Sequence, residues 1–247
     1  MTIRIGTSGW SYNHWINVLY PPGTPSARRL ARYVEAFDTV ELNASFYRWP
    51  KDSTFKGWRD QLPDGFTMSV KAHRGLTHYR RLASPEPWIE RFERCWQLLG
   101  DRHGVLLVQL HPEQQRDDAR LDSFLQLMPA SIRVAVELRH PSWNDPAVFE
   151  LLERHRAAYV VMSGLGLECI PRATTDLVYI RMHGRIPRPI TPVPTPLTIC
   201  GAGPSGSPLG TVKGRTCGCI STTTWAGTRS ATLSTCASCW AERPRVG

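Results

Sequence analysis

Three short runs each carry two chemically capable side chains two positions apart: Glu41 and Asn43 in "TVELN", Glu137 and Arg139 in "RVAVELR", Arg181 and His183 in "LVYIRMHG". A spacing of two puts both side chains on one face of a β-strand. An unpaired carboxylate among apolar neighbours is expensive to bury, so Glu41 and Glu137 need cations close by. Lys71 in "FTMSVKA", Arg139 and Arg181 are the obvious ones.

Two kinds of chemistry are compatible with this set. One is a salt-bridge network that only satisfies its own charges. The other is a site in which a carboxylate works as general base or acid, its pKa set by the neighbouring cations. Lys71, Arg139 and Arg181 together favour an anionic ligand, because guanidinium forks match phosphate and carboxylate oxygens. Glu137 and His183 are then the leading acid/base candidates, with Glu41 as a third. Asn43, Trp10 and Tyr47 are candidates for substrate contact, the aromatic rings by stacking on a sugar or base or else by packing over a rim. Glu41, His111, Glu137 and His183 could also hold a metal, but no spacing demands it, and no metal residue is assigned.

These residues need a frame that brings strand ends together. Seven short β-rich runs, "TIRIGTS", "TVELN", "FTMSVKA", "GVLLVQL", "RVAVELR", "AYVVMSG" and "LVYIRMHG", alternate with amphipathic segments such as "ARRLARYVEAF", "EPWIERFERCWQLLG" and "PAVFELLERHR". Such alternation predicts a βαβα chain with a parallel sheet. In 86–100 the residues Trp88, Phe92, Cys95, Trp96 and Leu99 share one helical face, as a stripe packed on a sheet would.

Beyond Gly184 both periodicities stop. Residues 185–247 contain eleven Thr, eight Pro and eight Gly but no Asp, Asn, Gln, Phe, Tyr, His or Met, and they carry +6 of the chain's net +9. The first 184 residues are only +3, which weakens a nucleic-acid reading based on charge alone. Cys217, Cys219, Cys236 and Cys239 have a spacing that zinc could use, yet the Thr- and Ser-rich sequence around them has no structural period. "GLGLE" at 164–168 lacks both a GxGxxG pattern and a Walker-type lysine, so nucleotide cradling has little support, and no pattern identifies a cofactor. No run of eighteen apolar residues and no secretory leader is seen, so the expectation is a soluble, cytoplasmic protein without membrane contact.

"GTSGWSYNHW", "VELNASFYRWP", "KAHRGLTH", "AVELRHPSW" and "YIRMHG" occur in an order and spacing that resembles the bacterial YecE-like family, catalogued as domain of unknown function 72. The resemblance implies an α/β fold, a TIM-type (β/α)8 barrel, over residues 1–184. Members of that family continue with segments similar to "DLRWWA", "VWVYFNN" and "GGHAVRNA", which this chain lacks. Joining the third base of each codon to the first two of the next, Arg215–Leu233 permit D-V-W-V-Y-F-N-N-D-L-G-G-H-A-V-R-N-A. The expectation is therefore an incomplete barrel of seven recognisable strands with its eighth lost, followed over 185–247 by a frame-shifted, irregular and disordered tail.

Polar residues at strand ends of such a barrel face the active-site mouth. The function expected of the parent protein is an enzyme, hydrolase- or lyase-like, acting on a small anionic or sugar-containing substrate, with this copy inactive. The alternative is a nucleic-acid-binding barrel with metal-dependent phosphodiester chemistry, and the sequence leaves the oligomeric state open.

Overall fold

A computed structural model of the chain describes residues 2–164, 168–183 and 216–221. All seven expected strands are present: β1 (Ile3–Thr7), β2 (Thr39–Leu42), β3 (Thr67–Lys71), β4 (His103–Gln109), β5 (Val134–Glu137), β6 (Ala158–Ser163) and β7 (Leu177–Met182). An eighth, β8 (Thr216–Ser221), joins them. The sheet is parallel throughout, in the order β1-β8-β7-β6-β5-β4-β3-β2. It curls until its two edges meet, where Ser8 bridges to Glu41 and the Gly9 amide donates to the Glu41 carbonyl at 2.8 Å.

Helices α1 (Arg29–Tyr33), α2 (Ala44–Tyr47), α3 (Asp52–Arg59), α4 (Glu86–Leu99), α5 (Asp118–Gln126) and α6 (Pro146–Arg154) occupy the connections from β1 to β6. Helix α4 buries Phe92, Cys95, Trp96 and Leu99 of the expected stripe, with Ile89 and Leu98 beside them, while Trp88 is only partly buried. Asp117 and Asp145 accept from the first-turn amides of α5 and α6 and so fix where each begins. None of these helices is long and apolar enough to cross a membrane.

Strand alternation divides the core in two. Outward residues such as Val40, Met68, Val70, Leu106, Val108 and Val136 pack with the helices in one large cluster. Inward residues Leu107, Ala135, Ala158, Val160, Met162, Leu177 and Tyr179, with Val105, form a second cluster that fills the barrel. The barrel is thus a packed core, with Glu41, Lys71, Glu137 and Arg181 buried towards its C-terminal end.

The eighth position differs from the sequence expectation of a lost strand. There the backbone of Thr216–Ser221 pairs on both sides, Ile3 with Cys217 and Tyr179 with Gly218 among others. A ladder needs backbone groups and tolerable side chains, and Thr and Ile are good strand residues whatever frame supplies them. The barrel remains incomplete in its outer layer, since among the described residues no helix follows β6. The expected disordered tail otherwise lies outside the described residues, as do Cys236 and Cys239 of the zinc alternative.

Candidate active site at the barrel mouth

The inward positions at the C-terminal strand ends form one polar layer. Ser8 follows β1, Glu41 lies in β2, Ser69 and Lys71 in β3, Gln109 ends β4, Glu137 ends β5 and Arg181 lies in β7. Register helps to level them, placing Gln109 opposite Glu137 and Glu41 opposite Ser69. Both carboxylates are fully buried, at 0% exposure, and Arg181 is at 2%.

Arg181 is shared between them. Its Nη2 donates to Glu41 Oε1 at 2.8 Å, while its Nη1 donates to Glu137 Oε2 and to Gln109 Oε1, the latter at 3.2 Å. Ser8 Oγ adds a bond to Glu41 Oε1 at 2.8 Å, and the Tyr179 hydroxyl donates to Glu41 Oε2 at 3.0 Å. Arg139 Nε donates to Glu137 Oε1 at 2.5 Å, and His183 Nε2 lies 3.9 Å from the same oxygen. Burial alone would raise the Glu137 pKa. The Arg181 and Arg139 guanidiniums outweigh it and hold that carboxyl well below the usual range. Glu137 is thus ionised at neutral pH and is a poor proton acceptor there.

Lys71 is set differently. It is 7% exposed, its Nζ lies 4.1 Å from the Phe46 ring centroid, and among the described residues that Nζ makes no hydrogen bond or ion pair. Burial first, then the Arg181 charge, lowers its pKa to about 8, against the opposing pull of Glu41 and Glu137. The Arg139 amino nitrogens are likewise without a hydrogen bond among the described residues, since its one bond is through Nε.

Two histidines complete the layer. Burial, then the positive charges of Arg181 and Arg139, brings His183 down to about 4 despite Glu137. His78 is lowered to about 4 by burial and by His111, Lys71 and Arg139. It stands on a single π-helical turn, Gly75–Tyr79, that follows β3, and it packs edge-on against Phe46 at 4.8 Å and His111 at 5.1 Å. Both rings are neutral at neutral pH and can accept a proton or a hydrogen bond.

Of the residues singled out in the sequence, Glu41, Glu137, Lys71, Arg139, Arg181 and His183 come together here. Asn43 follows β2, and its buried amide oxygen has no hydrogen-bond partner among the described residues. Tyr47 stands exposed at 60%, beside the Arg74 guanidinium. Trp10 is drawn elsewhere, buried edge-on against Trp58 of α3 at 5.4 Å. The four candidate metal ligands do not converge: Glu41 and Glu137 are turned to Arg181, and no cluster of three or more potential ligands occurs among the described residues. His78, Phe46 and Tyr179 were not singled out as site residues. Tyr179 was within reach of the pattern, two positions before Arg181 on one strand face. His78 was not, because a π-helical turn has no sequence period.

The family model for "Protein of unknown function DUF72" matches residues 4–194. The UPF0759 protein YunF of Bacillus subtilis is 29% identical over 156 residues, 60% of this chain and 54% of YunF. The UPF0759 protein YecE of Escherichia coli K12 is 29% identical over 142 residues, 57% of this chain and 50% of YecE. The chain therefore spans about half the length of the curated relatives it matches. The crystal structure of a DUF72 family protein from Thermotoga maritima superposes with a TM-score of 0.68 at 29% identity, over 75% of this chain and 76% of that one. A DUF72 family protein from Enterococcus faecalis gives a TM-score of 0.70 at 16% identity over 98% of both chains, a likeness of fold. With its strands, its barrel and the greater part of its length so matched, the chain belongs to the DUF72 family.

Proposed function

We propose that the mouth is the active site of an enzyme, hydrolase- or lyase-like, for a small anionic or sugar-containing substrate. The observation that carries this reading is a set of spare donors: Lys71 Nζ and the amino nitrogens of Arg139, which is paired to Glu137 only through Nε, stand beside two carboxylates already engaged by Arg181. Three cationic groups face two carboxylates, and a buried excess of positive charge favours an anion. In this reading Arg139 and Lys71 hold the anion, neutral His183 takes a proton from the substrate, and Glu137 positions Arg139. Glu41 and Arg181 brace the strand ends, while Asn43 and Tyr47 offer an acceptor and a stacking face to a sugar.

Sulfate is a suitable probe because its charge is constant across the relevant pH range. Calorimetric titration is expected to show sulfate binding that weakens about ten-fold in Arg139→Ala, the loss of one charge-assisted contact. Affinity in both Arg139→Ala and Lys71→Met equal to that of the parent chain would remove the reading.

We also propose that residues 185–247 are the family's last quarter in a shifted frame, so that this copy binds ligand but does not turn it over. A cytoplasmic location belongs to the same reading. The nucleotide sequence at the codon of Arg185 is the test: one inserted or deleted base relative to an unbroken homologous gene supports it, and an unbroken gene in the present frame overturns it.

One observation favours nucleic acid as the ligand instead. The Arg74 guanidinium, partly exposed, lies 5.8 Å from the Tyr47 ring and 5.6 Å from the Tyr79 ring, and the two exposed rings offer faces on which unpaired bases could stack. Salt-dependent retention of single-stranded DNA that is lost in Arg74→Ala would favour this reading over the first.

A further inference from the structure

The chain has four lysines against twenty-six arginines, and Lys51 and Lys56 are exposed on the surface. Lys71 is the buried one among those described, and it ends β3 at the mouth. An arginine there could hold an anion equally well, but a guanidinium never yields a free electron pair at accessible pH. A lysine amine does, when it is desolvated and set near other cations without a carboxylate to keep it protonated. Lys71 meets most of these conditions: burial and the nearby Arg181 and Arg139 charges favour its free amine and no acid lies at ion-pair distance among the described residues, while Glu41, Glu137 and the Phe46 face 4.1 Å from Nζ pull the other way and are outweighed.

We propose that Lys71 is a nucleophile that forms an imine with an aldehyde or ketone carrying an anionic group, of which a 2-oxo acid is the simplest kind. This rests on the anion-binding reading above and names its substrate class. The carboxylate of such a compound pairs with the free Arg139 nitrogens while its carbonyl carbon meets Lys71 Nζ. The Nζ electron pair forms the N–C bond, and the carbonyl π pair moves to oxygen, which takes a proton to give the carbinolamine. That oxygen then leaves as water with a second proton as the C=N bond forms, and the nitrogen, having released one of its own, retains one and becomes an iminium. Amine, carbonyl compound and one proton thus give iminium and water, with no oxidant or reductant. His78, close enough to Lys71 for the lysine's charge to keep its ring neutral, is placed to relay the protons. An iminium at this position draws electrons from the neighbouring carbon, which is what a lyase needs.

The test uses the full chain with pyruvate as probe and sodium cyanoborohydride to reduce the imine to a stable secondary amine. Peptide mass mapping is simplified by there being only four lysines. The expected result is one reduced pyruvate adduct on the Lys71 peptide, formed faster as pH rises towards about 8 and slowed by lactate, which has the carboxylate but no carbonyl. Lys71→Arg, checked by circular dichroism for its fold, is expected to form no specific adduct. Labelling spread evenly over Lys51, Lys56, Lys71 and Lys213, or a full rate in Lys71→Arg, overturns the proposal. If Lys71 forms no adduct but sulfate binds in an Arg139-dependent way, imine chemistry fails and the anion site stands. If neither occurs, both fail.

Discussion

Arg181 lies between two carboxylates that would otherwise be stranded in a barrel interior. Replacing it with Met keeps much of the volume and removes the shared cation, leaving Glu41 and Glu137 buried with their remaining partners. Loss of one member of a buried charge network costs about 3–5 kcal/mol, so Arg181→Met should lower the urea midpoint by a corresponding amount. The pH dependence follows from the shifts. His78 and His183 have folded pKa values lowered from 6.5 to about 4, so the unfolded chain binds more protons in that window and stability falls as pH drops through it. Glu137 has a folded value depressed from 4.5, so its contribution is present above 4.5 and is lost as pH falls below it. That low-pH limb should be shallower in Arg181→Met, and a midpoint and limb unchanged from the parent would mean that the network holds nothing. Residue types at a spacing of two were enough to nominate this cluster. What they did not settle is its division of labour, because which cation meets which carboxylate depends on strand order and register.

At the scale of elements, the seam between β1 and β2 is where the barrel closes, and Gly6 permits a close approach there. A Cβ added at Gly6 would collide with the Thr39 carbonyl, so Gly6→Val must push the two strands apart. The Ser8–Glu41 bond lies two residues further along and would open with them. Gly6→Val is therefore expected to destabilise the fold and to weaken sulfate binding together, measured by urea unfolding and calorimetry. A folded variant with unchanged affinity would show that closure does not position the site. Gly164 plays a related part beside β6: with φ at +102°, a Cβ there would run into the His183 carbonyl. Seven strands and the α4 stripe were legible because their periods of two and 3.6 residues are long enough to recur. The π-helical turn carrying His78 was not, and neither was β8, whose pairing comes from backbone groups in a stretch without alternation.

For the whole molecule, the charge is unevenly spread, with most of the net +9 in residues 185–247, while the mouth side chains among the described residues fall within 8–183. On the proposed reading, ligand affinity and catalytic turnover can therefore be separated in this chain, since the groups proposed to hold an anion all precede residue 185. The fold was readable from motif order up to Gly184, since each strand-end motif is local in sequence. The remainder was not, because barrel closure joins β8 to β1 across the full length of the chain. The central claim is that the mouth holds an anion through a cation with no carboxylate of its own. Sulfate titration of the full chain across pH tests it most directly. Lys71 carries its charge below about 8 and loses it above, so affinity should fall as pH rises through that value in the parent chain and stay level in Lys71→Met. A parent affinity that is flat through pH 8, or a Lys71→Met variant with the same pH dependence, would contradict it.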